Sequence, residues 1–310
     1  MNLLDVITQL SHEFGTADYV KGGGGNTSAK TAETLWVKPS GTTLAGLTPQ
    51  TFVAIDRAKL GRLYTATIPT DSHARETLVK DLMAAAVKSG STGRPSVEAP
   101  LHDILQGTFV VHTHPALVNG LTCAKQGAAA CARLFPDALW IPYIDPGFTL
   151  CMDVRQRLKG QKLVILENHG IFVAGDTADE IRATYRRVFD ALRAEYARAG
   201  ISTDLKPGKI PTAPEPVSPD HMVYTNHPKL GLVMAADCAL IRQLAAAFGG
   251  IQLADVKAEA TVRPESPLTE TVAEIHLAGH EVQVSSSDDR KYFTLRGIVF
   301  FLFMLNICKF

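Results

Sequence analysis

Apolar residues recur along this chain in two periods, and the alternation between them predicts an α/β protein. Residues 2–14 set Leu3, Leu4, Ile7, Leu10 and Phe14 at helical spacing. Residues 35–38 and 51–55 are short β-type runs. A helix follows over 71–87, with Leu78, Leu82, Met83 and Val87 as its apolar stripe. Residues 108–111 are β-rich, 116–126 helical and 140–143 strand-like. Two more strands, 163–166 and 171–174, flank the polar break Glu167-Asn168-His169-Gly170. Acidic residues at 176–180 open a long helix that runs over 181–199 and stops at Gly200. The Pro-rich stretch 206–219 is read as a linker. Beyond it a smaller α/β segment holds a helix at 235–248 and a strand at 282–285.

Candidate chemistry gathers around residues 95–115, PSVEAPLHDILQGTFVVHTHP. A turn and a short amphipathic segment lead into a strand that ends in His112-Thr113-His114. Strand side chains alternate faces, so His112 and His114 share one side, about 7 Å apart at Cβ in a regular strand. Two strand histidines by themselves can be purely structural. His169 adds a third imidazole, presented at a chain break where Gly170 permits a sharp bend. Glu98 adds a carboxylate in the turn leading to the same strand. Three imidazoles with a carboxylate or water suit Zn²⁺, and other divalent first-row metals are compatible. His102, four residues after Glu98, shares a helical face with it. Its ordinary reading is a packing histidine, and support of Glu98 is the other.

Three loops surround this stretch. Gly22-Gly23-Gly24-Gly25-Asn26-Thr27-Ser28 matches neither a P-loop nor a dinucleotide fingerprint. Its unobstructed amides and hydroxyls can wrap an anion, or it can be a plain flexible turn. Residues 39–43 and 89–96 are likewise rich in small and hydroxyl residues. A phosphorylated ligand beside a metal would use such a set. Lys38 shows no sequence sign of desolvation, which makes it a poor candidate for a covalent adduct.

Composition removes some classes. Lysine plus arginine and aspartate plus glutamate both number 31 in 310 residues, so no global field draws nucleic acid or an acidic membrane. The five cysteines (Cys123, Cys131, Cys151, Cys238, Cys308) lack C-x-x-C spacing and suit free thiols in a reducing cytosol. The N-terminus lacks the features of a signal peptide, and the expectation is a cytoplasmic protein. Residues 297–308, GIVFFLFMLNIC, are apolar but shorter than the roughly 20 residues that span a bilayer. A buried strand or helix is the ordinary reading there, and a prematurely ended C-terminus the other.

GGGGNTSAK, WVKPSGTTL, RPSVEAPLH, VVHTHP and ENHG, in that order, resemble the class II aldolase/adducin family over about residues 1–200. WIPYIDPGFTL and SPDHMVY bring the chain nearest to rhamnose-utilisation proteins with an aldolase domain, some of which continue into a dehydrogenase domain. The resemblance implies a three-layer α/β/α sandwich around a mainly antiparallel sheet, assembled as a homotetramer. On that basis residues 1–205 form the aldolase-like domain, 206–219 the linker and 220–310 a small C-terminal α/β segment. It also implies that His112, His114 and His169 bind one Zn²⁺ per subunit, with Glu98 as metal-binding carboxylate and acid/base. Gly25, Asn26, Ser40, Gly41 and Ser96 match the positions that hold a substrate phosphate.

The implied activity is metal-dependent cleavage or formation of a carbon–carbon bond in a sugar or sugar phosphate of the ketose 1-phosphate type, through an enediolate. Epimerisation, decarboxylation and dehydration of sugar phosphates use the same motifs and stay open. A non-catalytic adducin-like scaffold is the alternative of another class. Val97 departs from the family pattern, standing where a second serine often follows the first, which weakens the phosphate cradle. Neither Tyr143 nor Tyr185 matches by motif the tyrosine that protonates the leaving group in fuculose-phosphate aldolases.

Overall fold

The computed structural model describes residues 2–206, 208–211, 215–224, 227, 230–254, 281–283 and 294–295. Seven strands make the central sheet: β1 Asn26–Lys30, β2 Thr34–Val37, β3 Val53–Asp56, β4 Phe109–Thr113, β5 Leu139–Ile141, β6 Leu163–Leu166 and β7 Gly170–Gly175. Their order is β3-β2-β1-β4-β7-β6-β5. Every pairing is antiparallel except β5 with β6. This is the expected mainly antiparallel sheet.

Because strand side chains alternate, the sheet has two apolar faces and needs a cover on each. Ala29, Phe109, Val111, Leu163, Ile165, Ile171 and Val173 face one layer. That layer holds α1 Leu3–Glu13, α5 Ala116–Thr122, α6 Gly127–Leu134 and α8 Ala178–Arg198. Val110, Val164, Leu166, Phe172 and Ala174 face the other, where α4 Ala99–Ile104 and α7 Phe148–Arg157 lie. On the same side Leu35, Val37, Val53 and Ile55 meet α2 Arg57–Leu60 and α3 Ser72–Ala86. The result is an α/β/α sandwich.

Local chemistry sets the helix ends. Thr177 caps α8, its hydroxyl accepting from the Glu180 amide at 3.2 Å, with Asp179 and Glu180 in the first turn. The buried stripe of α8, Ile181, Tyr185, Val188, Leu192 and Tyr196, keeps the i, i+4, i+7 spacing of a helix packed on one side. Asp71 caps α3 by accepting from the Ala74 amide at 2.8 Å.

Three elements in this sandwich lack a sequence signal. β1 reads NTSAK, yet every residue is buried because β2 and β4 pair with it on both edges. In α6, GAAACARL, small residues let the helix pack closely without an apolar stripe. α7, FTLCMDVRQR, buries only Leu150, Cys151 and Val154.

The chain after α8 packs onto the sandwich. The stretch read as a linker contains β8 Lys209–Pro211 and the buried residues Val217 and Ser218. The helices α9 Pro219–Tyr224 and α10 Gly231–Ala245 follow. Val217, Cys238 and Ile241 pack with Ala116 and Cys123 of the α5 region. α10 and its 3-10 continuation, 18 residues over Gly231–Phe248, are long and apolar enough to cross a bilayer. Here that apolarity is spent on packing, with Leu244 and Phe248 in the main core. β8 pairs with β9 Glu281–Gln283, which pairs with β10 Thr294–Leu295. The strand expected at 282–285 thus coincides with β9 at 282–283. Residues 284–285, the run 297–308 and Cys308 lie outside the described residues. Cys123, Cys131, Cys151 and Cys238 are free and buried.

Candidate metal centre

His112 is the penultimate residue of β4, on the face that meets α4, and His114 follows just past the strand end. The intervening Thr113 points the other way, its hydroxyl 2.7 Å from the Tyr185 hydroxyl on α8. Phe172 of β7 pairs directly with His112 and stacks on its ring, with centroids 3.8 Å apart. His169 sits in the tight turn between β6 and β7. Asn168, just before it, takes a left-handed backbone conformation with φ of 51°, a geometry asparagine tolerates better than most side chains.

The three imidazoles converge. One ligand-type nitrogen from each of His112, His114 and His169 lies within 4.8 Å of the other two. His112 and His169 are almost wholly buried, and His114 is 8% exposed. The Nδ1 of His112 is 2.8 Å from the Ile171 carbonyl. A carbonyl only accepts, so Nδ1 carries the proton and Nε2 presents a lone pair. The Nδ1 of His114 is 2.6 Å from Asp220 Oδ2, which assigns the same tautomer. The two Nε2 atoms then face each other at 2.8 Å. Two lone pairs at that separation repel unless a shared cation or an extra proton lies between them.

Glu98, the residue just before α4, brings its carboxylate to the same place. Its Oε2 is 3.3 Å from His112 Nε2, and its Oε1 is 3.6 Å from His169 Nε2. Oε1 and His169 Nδ1 are both buried with no hydrogen-bond partner among the described residues. Converging imidazole nitrogens beside a buried, incompletely satisfied carboxylate fit a divalent cation, and a zinc ion suits this donor set.

The electrostatics follow from this crowding. Burial acts to raise the Glu98 carboxyl, but His112, with His169 and His114, holds it well below the usual carboxylate range. Burial pushes the His169 ring down to about 3. Burial also acts to lower His114, but the Asp220 carboxylate beside it raises that ring above its ordinary value. The site therefore holds a carboxylate together with a neutral His169, while Asp220 favours the protonated His114 until a cation takes the place of that proton.

Asn26 ties the glycine loop to Glu98. Its Nδ2 donates to Glu98 Oε2 at 2.8 Å and to Ser96 Oγ at 3.2 Å. Its Oδ1 is bonded to His102 Nε2, and His102 Nδ1 lies 2.7 Å from Ser28 Oγ. His102 is fully buried, and that burial drives its ring well below the usual pKa. A neutral His102 therefore orients the Asn26 amide toward Glu98.

Gly25 needs a left-handed backbone, φ 68°, and a Cβ there would come within 2.6 Å of the His112 carbonyl. Ser40 joins through the backbone, its amide donating to the Arg94 carbonyl at 2.7 Å while Arg94 Nη2 donates to its hydroxyl at 3.0 Å. Gly41 fronts open space. Gly25, Asn26, Ser96, Glu98 and the three histidines thus form one contiguous group, with Ser40 and Gly41 on the neighbouring loop.

Lys38 corrects the sequence reading. It is buried, and that desolvation lowers its ammonium to about 8. Its Nζ donates to the carbonyls of Gly23 at 3.2 Å and Thr42 at 2.8 Å. It staples two of the three loops together and is not free to act as a nucleophile. Asp220 is the functional neighbour that sequence reasoning missed. It lies in SPDHMVY, but no spacing links that motif to His114 106 residues earlier.

Comparisons with known proteins agree with this architecture. The family model described as Class II Aldolase and Adducin N-terminal domain matches residues 5–195. The uncharacterized oxidoreductase YuxG of Bacillus subtilis (strain 168) is 31% identical over 170 residues, which cover 51% of this chain and 24% of that protein. The chain thus spans about a quarter of the length of that curated relative. The N-terminal class II aldolase domain of a conserved protein from Thermoplasma acidophilum superposes with a TM-score of 0.55 at 28% identity, over 62% of this chain and 92% of that one. An L-fuculose-1-phosphate aldolase from Thermus thermophilus gives 0.45 at 14% identity, over 64% and 96%. With the family model matched across the whole sandwich that carries the converging histidines, the chain belongs to the class II aldolase and adducin family.

Proposed function

We propose that this chain is a metal-dependent aldolase, a lyase of carbohydrate metabolism that cleaves or forms a carbon–carbon bond in a sugar or sugar phosphate of the ketose 1-phosphate type. The observation that carries this reading is the meeting of His112, His114 and His169 with the buried Glu98 carboxylate. These four residues would hold one zinc ion per subunit. When bound, such an ion supplies Lewis-acid polarisation of a carbonyl and stabilises the negative charge that develops on oxygen.

The chain's own groups supply the rest. Glu98 is held deprotonated within 3.6 Å of two of the histidines, and would take a proton from the carbon of a substrate bound there and return it. Asn26 fixes the rotamer of that carboxylate through Nδ2. The loop amides around Gly25, Ser40, Gly41 and Ser96 would receive the anionic end of the substrate. Val97 is 39% exposed beside Ser96 and adds no hydroxyl there, which favours a less charged substrate end than a phosphate. We take the active form to be a cytoplasmic homotetramer.

The test is aldehyde release from a panel of phosphorylated and free ketoses, with and without a chelator. Chelator-sensitive release from at least one ketose supports the reading. Release that ignores the chelator overturns the metal role. Purified protein without a bound divalent metal that also releases no aldehyde replaces the enzyme with the adducin-like binding module.

A further inference from the structure

His114 and the turn that carries His169 depend on a part of the chain that lies beyond the matched domain. The family match ends at residue 195, and Asp220, on α9, lies 25 residues later. Its Oδ2 accepts from His114 Nδ1 at 2.6 Å. This contact is built in. A Cβ on Gly24 would sit 2.4 Å from Asp220 Oδ2, so only glycine leaves room for the carboxylate.

α9 itself is pinned at several points. The Tyr224 hydroxyl accepts from the Gly23 amide at 3.0 Å. His221 lies 3.2 Å from Asp237 on α10, and Asp237 pairs with Lys21 at 2.8 Å, next to the glycine loop. The same segment also holds the turn of the third histidine. Asn168 Nδ2 donates to the carbonyls of Val217 at 3.0 Å and Gln252 at 3.1 Å. Gln252 Nε2 in turn donates to Glu167 Oε1 at 2.7 Å.

We infer that Asp220 is a positioning residue for the candidate metal centre, and that Asp220, Val217 and Gln252 complete that centre by fixing the tautomer of His114 and the turn of His169. The inference rests on the metal reading given above. A carboxylate on the far nitrogen of a ligating histidine orients the ring, leaves Nε2 free to coordinate and makes it a stronger donor. The matched domain contributes the histidines, and the later segment holds the ring of one and the turn before another.

The experiment compares the full chain with Asp220→Asn and Asp220→Ala. Zinc affinity is measured by competition with a chromophoric chelator at a single pH, beside the visible spectrum of cobalt-loaded protein. Asp220→Asn is isosteric, retains an acceptor oxygen and removes only the charge, so folding is preserved if the alanine variant fails. Zinc binding weakened by about 10- to 100-fold in the asparagine variant, with a shifted cobalt band and an unchanged melting temperature of the metal-free protein, supports the inference. Affinity within twofold of the parent and an unmoved cobalt band overturn it while leaving the metal reading intact. A parent protein that binds neither ion overturns the metal reading, and this inference with it.

Discussion

The Nε2 atoms of His112 and His114 face each other across 2.8 Å, while the Nδ1 of each ring is committed to an acceptor, the Ile171 carbonyl and Asp220. Such a pair has no comfortable neutral state without something positive between the rings. His114→Ala removes one of the converging nitrogens. Metal retained after dialysis falls from about one ion per chain toward none, and affinity drops by more than the roughly hundredfold typical of losing an outer partner. Elemental analysis checks this, and an unchanged metal content would dismiss the assignment of His114.

Glu98→Gln separates binding from proton transfer. The amide has nearly the same shape, keeps an oxygen for Asn26 or the ion, and leaves the three histidines in place, so most of the metal is retained. Turnover falls by about 10²- to 10⁴-fold, the usual contribution of a positioned acid or base. Steady-state aldehyde release measures the loss, and a rate equal to the parent's removes Glu98 from the proton-transfer role.

Asn168 sits at φ 51° and donates two hydrogen bonds. Asn168→Val forces a β-branched residue into the left-handed region and abandons one buried and one partly buried carbonyl, destabilising the fold by about 2–4 kcal/mol. Asn168→Gly keeps the backbone conformation and loses only the bonds, so its loss is smaller. Urea unfolding ranks the three proteins, and a valine variant as stable as the parent contradicts the strain argument.

Asp237 predicts an acid limit. Burial works to raise its carboxyl, but Lys21 at 2.8 Å and His221 at 3.2 Å hold it at about 2, against an ordinary 3.8. A carboxyl depressed in the folded state favours folding fully above its unfolded value. That advantage, about 2 kcal/mol, fades as pH drops below 3.8 and is gone below about 2. Asp237→Asn flattens this part of the stability-versus-pH curve. Denaturant midpoints between pH 5 and 2 test the difference, and parallel curves for the two proteins would refute it.

Where large apolar residues kept a clear period, the sequence was easily read. α1 and α3 appear within two residues of their expected ends and α8 within three, and β6 coincides with the expected strand. β1, α6 and α7 were not legible: β1 is buried by pairing on both edges, α6 packs through small residues, and α7 buries only three side chains. His102 looked like a packing histidine four residues from Glu98. The fold gives it a second partner, Asn26 on β1, and so a line of contact to the Glu98 carboxylate. Lys38 gave no hint of desolvation because its burial is created by loops that meet only in three dimensions.

By itself the sequence determined the α/β class, the order of the main elements and the identity of the four converging side chains. It could do so because periodicity is local, and because strand alternation sends His112 and His114 to one face while Thr113 goes to the other. Only the tertiary structure decided which nitrogen of His112 and His114 is free, that Asp220 reaches His114 from 106 residues away, and that Asn168 bonds to the Val217 carbonyl. Hydrogen-bond partners so far apart along the polymer leave no trace in spacing; they are set when α9 and α10 pack against the glycine loop and α5.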